Sequence, residues 1–492
     1  MKRWVIIVVL ALILIAVGLV QRGRQDLEYT TTSPEAHALY EEGNIALFAL
    51  QWEKALRSLE KAVELDPNFA MGRAALAVAY ASWGHREEGR QQAVIADSLA
   101  LSLKDENERL LVQVRVAGFH DEEYARRDSL LGILDERIPD NLIVLVTKAY
   151  QAEYRGDRRQ AEALWRRILE VNPNFAHAYN TLGYAAAMRG SYDEAVGLLQ
   201  KYTYLAPDVA NAHDSLGEIL TFTGQYEEAE QEFRKALELQ SDFYASLVNL
   251  ARIYIALGRV EKGLEIMRKT GESLEGSDVE LRYLYLATQT YISYWMPAEL
   301  EQVARRFIQL YPDEGYSASL RIFLTTFNGE FETAKALADS LVTSWHKERF
   351  PRLTEPAKSV YESFADRFAA LIASYEGRPE AAAAAWEQAV NHAAPLAPHE
   401  LIAYRVPYAW TLAELGRNLD ALVQAQEVLQ TNPRVISALV IQAQTLLALN
   451  ELEKAAKALE VLEKALAVAD PDYPPVGQTK ALKKKLASRM GS

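Results

Sequence analysis

The stretch from Ala176 to Val209 constrains the fold of this chain more than any other part of its sequence. Its first half carries small and apolar residues at alternating spacings of three and four, which places them on one face of a helix. Gly190 follows, and glycine adopts without steric penalty the left-handed conformation that ends many helices. A second helical pattern runs to Pro207, which lacks a backbone N–H and cannot continue a helix. Neither helix can bury its apolar face alone, so the pattern predicts stacked helix pairs.

The same pattern recurs along the chain with a fixed period of about 34 residues. Four consecutive units begin at Leu142, Ala176, Ala210 and Tyr244, and their turns are marked by Gly156, Gly190, Gly224 and Gly258. A fixed period of this length indicates a repeat solenoid, in which each unit contacts mainly its neighbours. Such an array also explains how 492 residues fold without one oversized hydrophobic core.

The unit resembles the tetratricopeptide repeat. Gly183 stands at the small position of the first helix, Ala195 at the small position of the second, and Pro207 at the closing proline. Tyr179 takes the place of the opening tryptophan. The resemblance covers residues 36–469 and implies an all-α fold, a right-handed superhelical solenoid of about twelve helix-turn-helix units.

The chain divides where the repeat register starts, breaks and ends. Residues 1–24 are assigned to a membrane anchor or signal peptide, 25–35 to a linker, 36–348 to the repeat array, 349–362 to a proline-containing insertion, 363–469 to further repeats, and 470–492 to a proline-rich linker with a basic capping helix. Single positions also depart from the pattern. Arg115 and Arg127 stand where the third unit should have small residues, and Trp295 replaces a turn glycine.

The amino terminus carries an uncharged apolar run, residues 4–20, between Lys2-Arg3 and a second basic pair. Its 17 residues reach the lower limit for spanning a bilayer, so we predict one transmembrane helix before the repeats. A cleaved signal peptide is the alternative, because Ala16-Val17-Gly18 has the small-x-small form of a cleavage site. The short basic head favours a cytoplasmic amino terminus, which would place the repeats outside the cytoplasm, in a bacterium the periplasm.

Composition argues against several classes of function. A net charge of −14 makes the chain a poor ligand for a phosphate backbone, so no nucleic acid is expected. The absence of cysteine excludes disulfides, thiolate catalysis and cysteine metal sites. The sequence has no HExxH, GxxxxGK or GxSxG motif, and its eight histidines are scattered. We therefore predict a protein that is not an enzyme and needs no metal or cofactor.

In the family that the repeat resembles, the first helices line a concave groove. The resemblance assigns to it Tyr40, Asn44, Tyr150, Tyr154, Asn180, Tyr184, Asn211, Phe222, Arg252, Tyr285, Gln289, Phe323, Phe327, Tyr375 and Trp410. Aromatic rings with amide groups suit an extended peptide or a partner helix. The alternative for each aromatic residue is that it packs between units. A carboxylate clamp for a peptide terminus is not expected, because Tyr40 and Ala75 stand beside Asn44 where the clamp has other residues.

The sequence thus predicts a membrane-tethered, non-catalytic scaffold that binds a protein or peptide partner, in a bacterial envelope complex. Two alternatives stay open. One is a sensory or regulatory repeat module that acts with a separate effector, since no effector domain accompanies the repeats. The other is a structural subunit of a membrane complex that uses the outer, convex face. Self-association through the repeat surface is compatible with each of these functions.

Overall fold

The computed structural model describes residues 29–48, 51–119, 124–277 and 279–490. Within them the regular structure is helical, and twelve helix pairs are followed by a single last helix. The first six pairs are α1 (Pro34–Phe48) with α2 (Trp52–Leu65), α3 (Ala70–Ser82) with α4 (Arg86–Ala100), α5 (Glu106–Val116) with α6 (Tyr124–Arg137), α7 (Leu142–Tyr154) with α8 (Arg158–Val171), α9 (Ala176–Met188) with α10 (Tyr192–Leu205), and α11 (Ala210–Phe222) with α12 (Tyr226–Leu239). The others are α13 (Tyr244–Ala256) with α14 (Val260–Leu274), α15 (Glu280–Ser293) with α16 (Pro297–Leu310), α17 (Gly315–Phe327) with α18 (Phe331–Ser344), α19 (Glu355–Tyr375) with α20 (Pro379–His392), α21 (Pro398–Glu414) with α22 (Asn418–Thr431), and α23 (Ile436–Ala448) with α24 (Leu452–Ala465), before α25 (Pro474–Met490).

The chain divides into two compact units. Unit 1 comprises Met1–Ala185 with Tyr204–Val209, and unit 2 comprises Ala186–Thr203 with Ala210–Ser492. No helix among the described residues is both long and apolar enough to cross a membrane. The apolar run at residues 4–20, for which a transmembrane helix was predicted, lies outside the described residues.

Small residues inside the pairs let the two helices approach closely. A β-carbon at Gly217 of α11 would lie 2.7 Å from the ring of Phe233 in α12. A β-carbon at Gly43 of α1 would lie 2.5 Å from Leu59 in α2. Because Phe233 and Leu59 are themselves fully buried, neither can move aside easily. In these two pairs the small position of the repeat pattern is therefore the crossing point of the helices.

The segment expected to interrupt the array is largely helical. Trp345–Arg349 forms a π-helical turn and Phe350–Arg352 a short 3₁₀ helix. α19 then begins at Glu355 and includes residues 355–362 as its first two turns. Pro356 occupies the first turn of this helix, where its missing N–H has no intrahelical partner to lose. The prolines here mark a helix start, since proline is compatible with that position.

The linker residues before the array are bound to it where they are described. Thr30 donates from its backbone N–H and its hydroxyl to the two carboxylate oxygens of Glu108, at 2.7 and 2.6 Å. The hydroxyl of Thr31 and the N–H of Thr32 both donate to Asp66, at 2.7 and 2.6 Å. Both carboxylates are buried. We call residues 29–33 the strap, because these bonds hold them against the C-cap of α2 and the first turn of α5.

Unit 2 is closed by contacts between its early turns and its late loops, which we call the seam. At the first joint the hydroxyl of Tyr192 accepts a hydrogen bond from the backbone of His399 at 3.0 Å, 207 residues away. At the second, Asn432 donates to the hydroxyl of Tyr226 at 3.1 Å. At the third, the N–H of Asp470 donates to the carbonyl of Gly258 at 2.9 Å. The solenoid of unit 2 therefore winds until its last repeats rest on its first.

Candidate partner-binding groove

A cavity of about 450 Å³ opens on unit 1. Its walls come mainly from the first helices α1, α3, α5 and α7, which is the surface predicted to be concave. The apolar part of the lining consists of Leu47, Phe48, Val78, Val114, Ile143 and Val146. Arg115, Arg127 and Thr147 add polar groups, and two tyrosines of α7 complete it. A largely apolar floor with a few polar groups is typical of a binding site.

The two tyrosines of α7, Tyr150 and Tyr154, differ in how much of their surface is accessible to a partner. The hydroxyl of Tyr150 lies 2.7 Å from Nε2 of His177, and its ring packs edge-on against Trp165. Burial raises the pKa of the Tyr150 phenol, although 44% of the residue is exposed. Tyr154 is 88% exposed at the edge of the cavity. Tyr154 therefore presents most of its ring to solvent, while Tyr150 is fixed by its contacts with His177 and Trp165.

Tyr40 and Asn44 are engaged by the chain itself. Arg115 donates to the Tyr40 hydroxyl at 3.2 Å and to the Asn44 side-chain oxygen at 2.8 Å. Tyr40 is fully buried and Asn44 nearly so. Arg115 stood out in the sequence as an arginine at a small-residue position, and the structure supplies its reason. It ties the third repeat to the first, across 71 residues of chain.

Asn180 and Tyr184 lie on α9, one helical turn apart. Asn180 is buried, and its side-chain oxygen has no hydrogen-bond partner within the described residues. Nδ1 of the neighbouring His177 is likewise without one. Burial lowers the pKa of His177 to about 4, so its imidazole is neutral near pH 7. Tyr184 is half-buried.

In unit 2 the seam reaches part of the predicted groove. Phe222, at the end of α11, is stacked on His399 with ring centres 3.8 Å apart and planes 9° from parallel. Asn211 donates to the Tyr202 hydroxyl at 3.3 Å, and Arg252 donates to Asn249 at 3.2 Å. The face of Phe222 that the repeat pattern assigns to a partner is thus occupied by the first turn of α21.

A buried carboxylate, Asp214, lies beside this part of unit 2. It accepts hydrogen bonds from Ser246 at 2.7 Å and, more weakly, from Asn249 at 3.4 Å. Burial, with a smaller contribution from Glu218, raises the pKa of Asp214 to about 7. Asp214 is a group of the core, and its position on a first helix does not place it on an open surface.

The later predicted residues also lie in unit 2, and most of them are aromatic. Tyr285 is partly exposed and packs against Tyr316, to whose hydroxyl Gln289 donates at 2.9 Å. Phe327 contacts Tyr375 with ring centres 5.1 Å apart. Tyr375 is partly exposed, whereas Phe323 is buried.

The last predicted residue and one residue that the sequence analysis missed also lie in unit 2. Trp410 is partly exposed, and its indole N–H donates to Glu414 at 3.1 Å. Arg367 of α19 lies over the rings of Phe323 and Tyr404, at 5.7 and 5.4 Å. The contacts of Arg367 depend on which rings surround it in the fold. Its position on a first helix was therefore the only signal for it in the sequence. Unit 2 thus offers scattered exposed rings here.

Metal chemistry finds no support in the described part of the chain. No group of three or more histidine, aspartate or glutamate side chains is placed there to hold a metal ion. His213, which the sequence places near the start of α11, is paired with Glu232 at 2.6 Å.

Two sequence models of the tetratricopeptide repeat match the chain, at residues 146–210 and 223–282. Among solved structures, the crystal structure of the APC/C hetero-tetramer Cut9–Hcn1 has a chain that matches with a TM-score of 0.56 at 14% identity, covering 92% of this chain and 84% of that one. Yeast Tom70 matches with a TM-score of 0.43 at 16% identity, covering 92% and 96%. No curated protein sequence matches the chain. At 14% identity the likeness to the Cut9 complex concerns the fold.

Proposed function

The chain belongs to the tetratricopeptide repeat family, and from that premise we propose that it is a non-catalytic scaffold that binds protein partners through its solenoid surface. The supporting observation is the cavity of unit 1, which combines an apolar floor with the exposed ring of Tyr154. Apolar floors and exposed tyrosines are the features that dominate the free energy of protein–protein contacts.

The occupant that fits this cavity is an extended segment or one face of a helix. The lining helices are roughly side by side in the repeat stack, so side chains at intervals along a partner segment would meet successive repeats. Thr147 and Gln151 donate to Ile143 and Asp128 within the chain, and their side-chain oxygens can accept hydrogen bonds that orient the segment. Tyr150, fixed by His177 and Trp165, would lose little conformational entropy on binding.

The scaffold is proposed to be membrane-tethered through residues 4–20, with the repeats outside the cytoplasm in a bacterial envelope complex. The strap supports a short tether, since only residues 21–28 separate the apolar run from Tyr29. Eight residues reach at most about 29 Å when fully extended. An anchored chain would therefore hold unit 1 next to the bilayer surface.

A crosslinked pull-down of the full-length chain from native membranes tests the groove. We compare the wild-type protein with a double variant, Tyr150→Ala with Tyr154→Ala. Loss of these two rings should reduce recovery of the partner at least about tenfold, as for other interface hot spots. Tyr204→Ala is the matched control, because it removes an exposed tyrosine of the second helix α10.

If the double variant and the wild-type chain recover the partner equally, the proposal that the partner binds in this cavity is wrong. Circular dichroism of both proteins checks that the helices are retained. The tether is tested separately by alkaline extraction of the same membranes. An anchored chain stays in the pellet, and a chain lacking residues 1–24 does not. If the full-length chain is extracted, the membrane part of the proposal is wrong and the groove part still stands.

A further inference from the structure

α21 is longer at its start than the first helices that keep the repeat register. The first helices α7, α9, α11 and α13 have 13 residues each, whereas α21 has 17. All five helices end two residues before a turn glycine, so the extra residues of α21 lie at its beginning. Residues 398–401 therefore form one helical turn beyond the repeat pattern, which we call the added turn.

The added turn covers Phe222, a residue predicted to line the groove. The imidazole of His399 lies flat on the Phe222 ring, with ring centres 3.8 Å apart. Pro398 packs against the turn at Gly190, where a β-carbon would lie 2.9 Å from it. All of these residues belong to unit 2. The added turn thus occupies, within the chain, surface that the repeat pattern assigns to a partner.

The hydrogen bonds of the added turn fit a neutral imidazole. The hydroxyl oxygen of Tyr192 accepts the backbone N–H of His399 at 3.0 Å. The single hydrogen of that hydroxyl is then directed to Nδ1 of His399, at 3.1 Å. Nδ1 is therefore an acceptor. A proton on Nδ1 would remove this bond and compete with the backbone N–H for the same oxygen.

A proline lies inside α21, behind the added turn. Pro407 lacks the N–H that would bond to the carbonyl oxygen four residues earlier in the helix. The ladder of backbone hydrogen bonds is therefore interrupted between the added turn and the end of α21. The added turn can move with less disruption of the rest of the helix than in an unbroken one.

We propose that the added turn is a proton-sensitive latch of unit 2. With His399 neutral the latch closes over Phe222, and protonation of His399 releases it and uncovers the Phe222 ring. The uncovered ring adds an apolar contact to the surface formed by the first helices. The latch goes beyond the proposed binding function, because it decides when this part of unit 2 is available.

The charges around His399 give the direction of the pH dependence. Burial and, after it, the guanidinium of Arg252 on α13 lower the pKa of His399 from 6.5 to about 4. Tyr192 faces the ring from α10, and on α21 the carboxylate of Glu400 accepts the N–H of Ala397 at 2.9 Å. Closure is therefore most stable above pH 6.5 and weakens as the pH falls toward 4. Between about pH 7 and about pH 5 the closing equilibrium should fall about 20-fold.

Hydrogen exchange at the His399 amide tests the latch in the full-length chain in a non-ionic detergent. This amide lies in the first turn of α21, where the helix itself offers no acceptor, so its protection comes from Tyr192. Mass spectrometry with single-amide resolution gives its protection factor, corrected for the intrinsic pH dependence of exchange. We expect a protection factor at least about tenfold lower at about pH 5 than at about pH 7.

Two substitutions assign this response to His399. His399→Phe keeps a ring that stacks on Phe222, and His399→Asn keeps an acceptor for the Tyr192 hydroxyl, but neither side chain can be protonated. In both variants the protection factor should change less than about twofold between the two pH values. His392→Asn is the matched control and should respond like wild type, because His392 is another histidine of unit 2, paired with Asp366 at 2.7 Å.

Four outcomes would overturn the proposal. The first is a His399 amide that is unprotected at about pH 7, and the second is equal protection at both pH values. The third is a fall of the same size in the variants of His399. The fourth is an equal fall at the amide of Asp470, which donates to Gly258, because the whole seam would then loosen. The measurement needs no partner, so its result is separate from that of the pull-down.

Discussion

Replacing Gly258 with alanine is expected to destabilise unit 2 by about 3 kcal/mol. Part of this cost, about 1 kcal/mol, arises because alanine disfavours the positive φ of 77° at this turn. The larger part arises because the new β-carbon would lie 2.6 Å from Tyr473 and 2.7 Å from Ala469. Relieving that overlap must push the loop before α25 away from the turn.

The substitution Gly377→Ala separates the cost of the positive φ from the cost of steric overlap. Gly377 has a similar φ of 71°, but a β-carbon there would meet nothing within 4 Å. We expect it to cost only the conformational part, about 1 kcal/mol. Urea unfolding gives the difference between the two variants, and hydrogen exchange shows where it acts. Residues 466–473 and α25 should exchange faster in Gly258→Ala alone. Equal destabilisation by the two substitutions would mean that the third joint of the seam is not tightly packed.

Replacing Asp214 with asparagine is expected to stabilise the protein at alkaline pH by about 2–4 kcal/mol. The carboxyl is buried between α11 and α13, where the neutral form is favoured, and its pKa rises from 3.8 to about 7. Asparagine keeps an oxygen that can accept the hydrogen bond of Ser246. It has no charge to desolvate and none to repel Glu218.

The sign of the pH dependence follows from the raised pKa. Folded Asp214 binds its proton more tightly than the unfolded chain does, so the free energy of unfolding falls as pH rises from about 4 to about 7. Below that window the wild-type carboxyl is protonated in both states, and Asp214→Asn should change little. Urea midpoints at about pH 4 and about pH 8 measure the contrast. Asp193→Asn, at an exposed carboxylate of α10, is the control. A gain that is the same at both pH values would contradict the assignment to a buried charge.

Repeat spacing predicted the helix pairs well because its signals are local. α7, α9, α11 and α13 begin at Leu142, Ala176, Ala210 and Tyr244, the residues where the sequence pattern starts its units. The solenoid of helix pairs is confirmed. Local signals are ambiguous at residues 355–362, because Pro356 is compatible both with a break in the repeats and with a helix start. Which of these it marks depends on the helix that α19 packs against.

Local signals also do not determine which of the predicted groove residues are exposed. Position within a first helix does not separate Tyr154, which faces solvent, from Tyr40, which Arg115 engages. Nor does it separate the partly exposed Tyr375 from Phe222, which is stacked on His399. The assignment of these residues to partner binding remains a prediction. The structure shows which of these residues have surface that is accessible to a partner.

The sequence by itself determined the helix pairs, their turns and their stacking order, because apolar spacing, glycine and proline act within one or two helical turns. Only the tertiary structure decided the seam, the tie between Arg115 and Asn44, and the cover over Phe222. These contacts join residues that lie 71 to 212 positions apart in the chain. They arise from small rotations between neighbouring repeats that add up over many units, and no single repeat encodes that sum. Where these rotations place a turn against a loop, as at Gly190, Gly224 and Gly258, glycine is required.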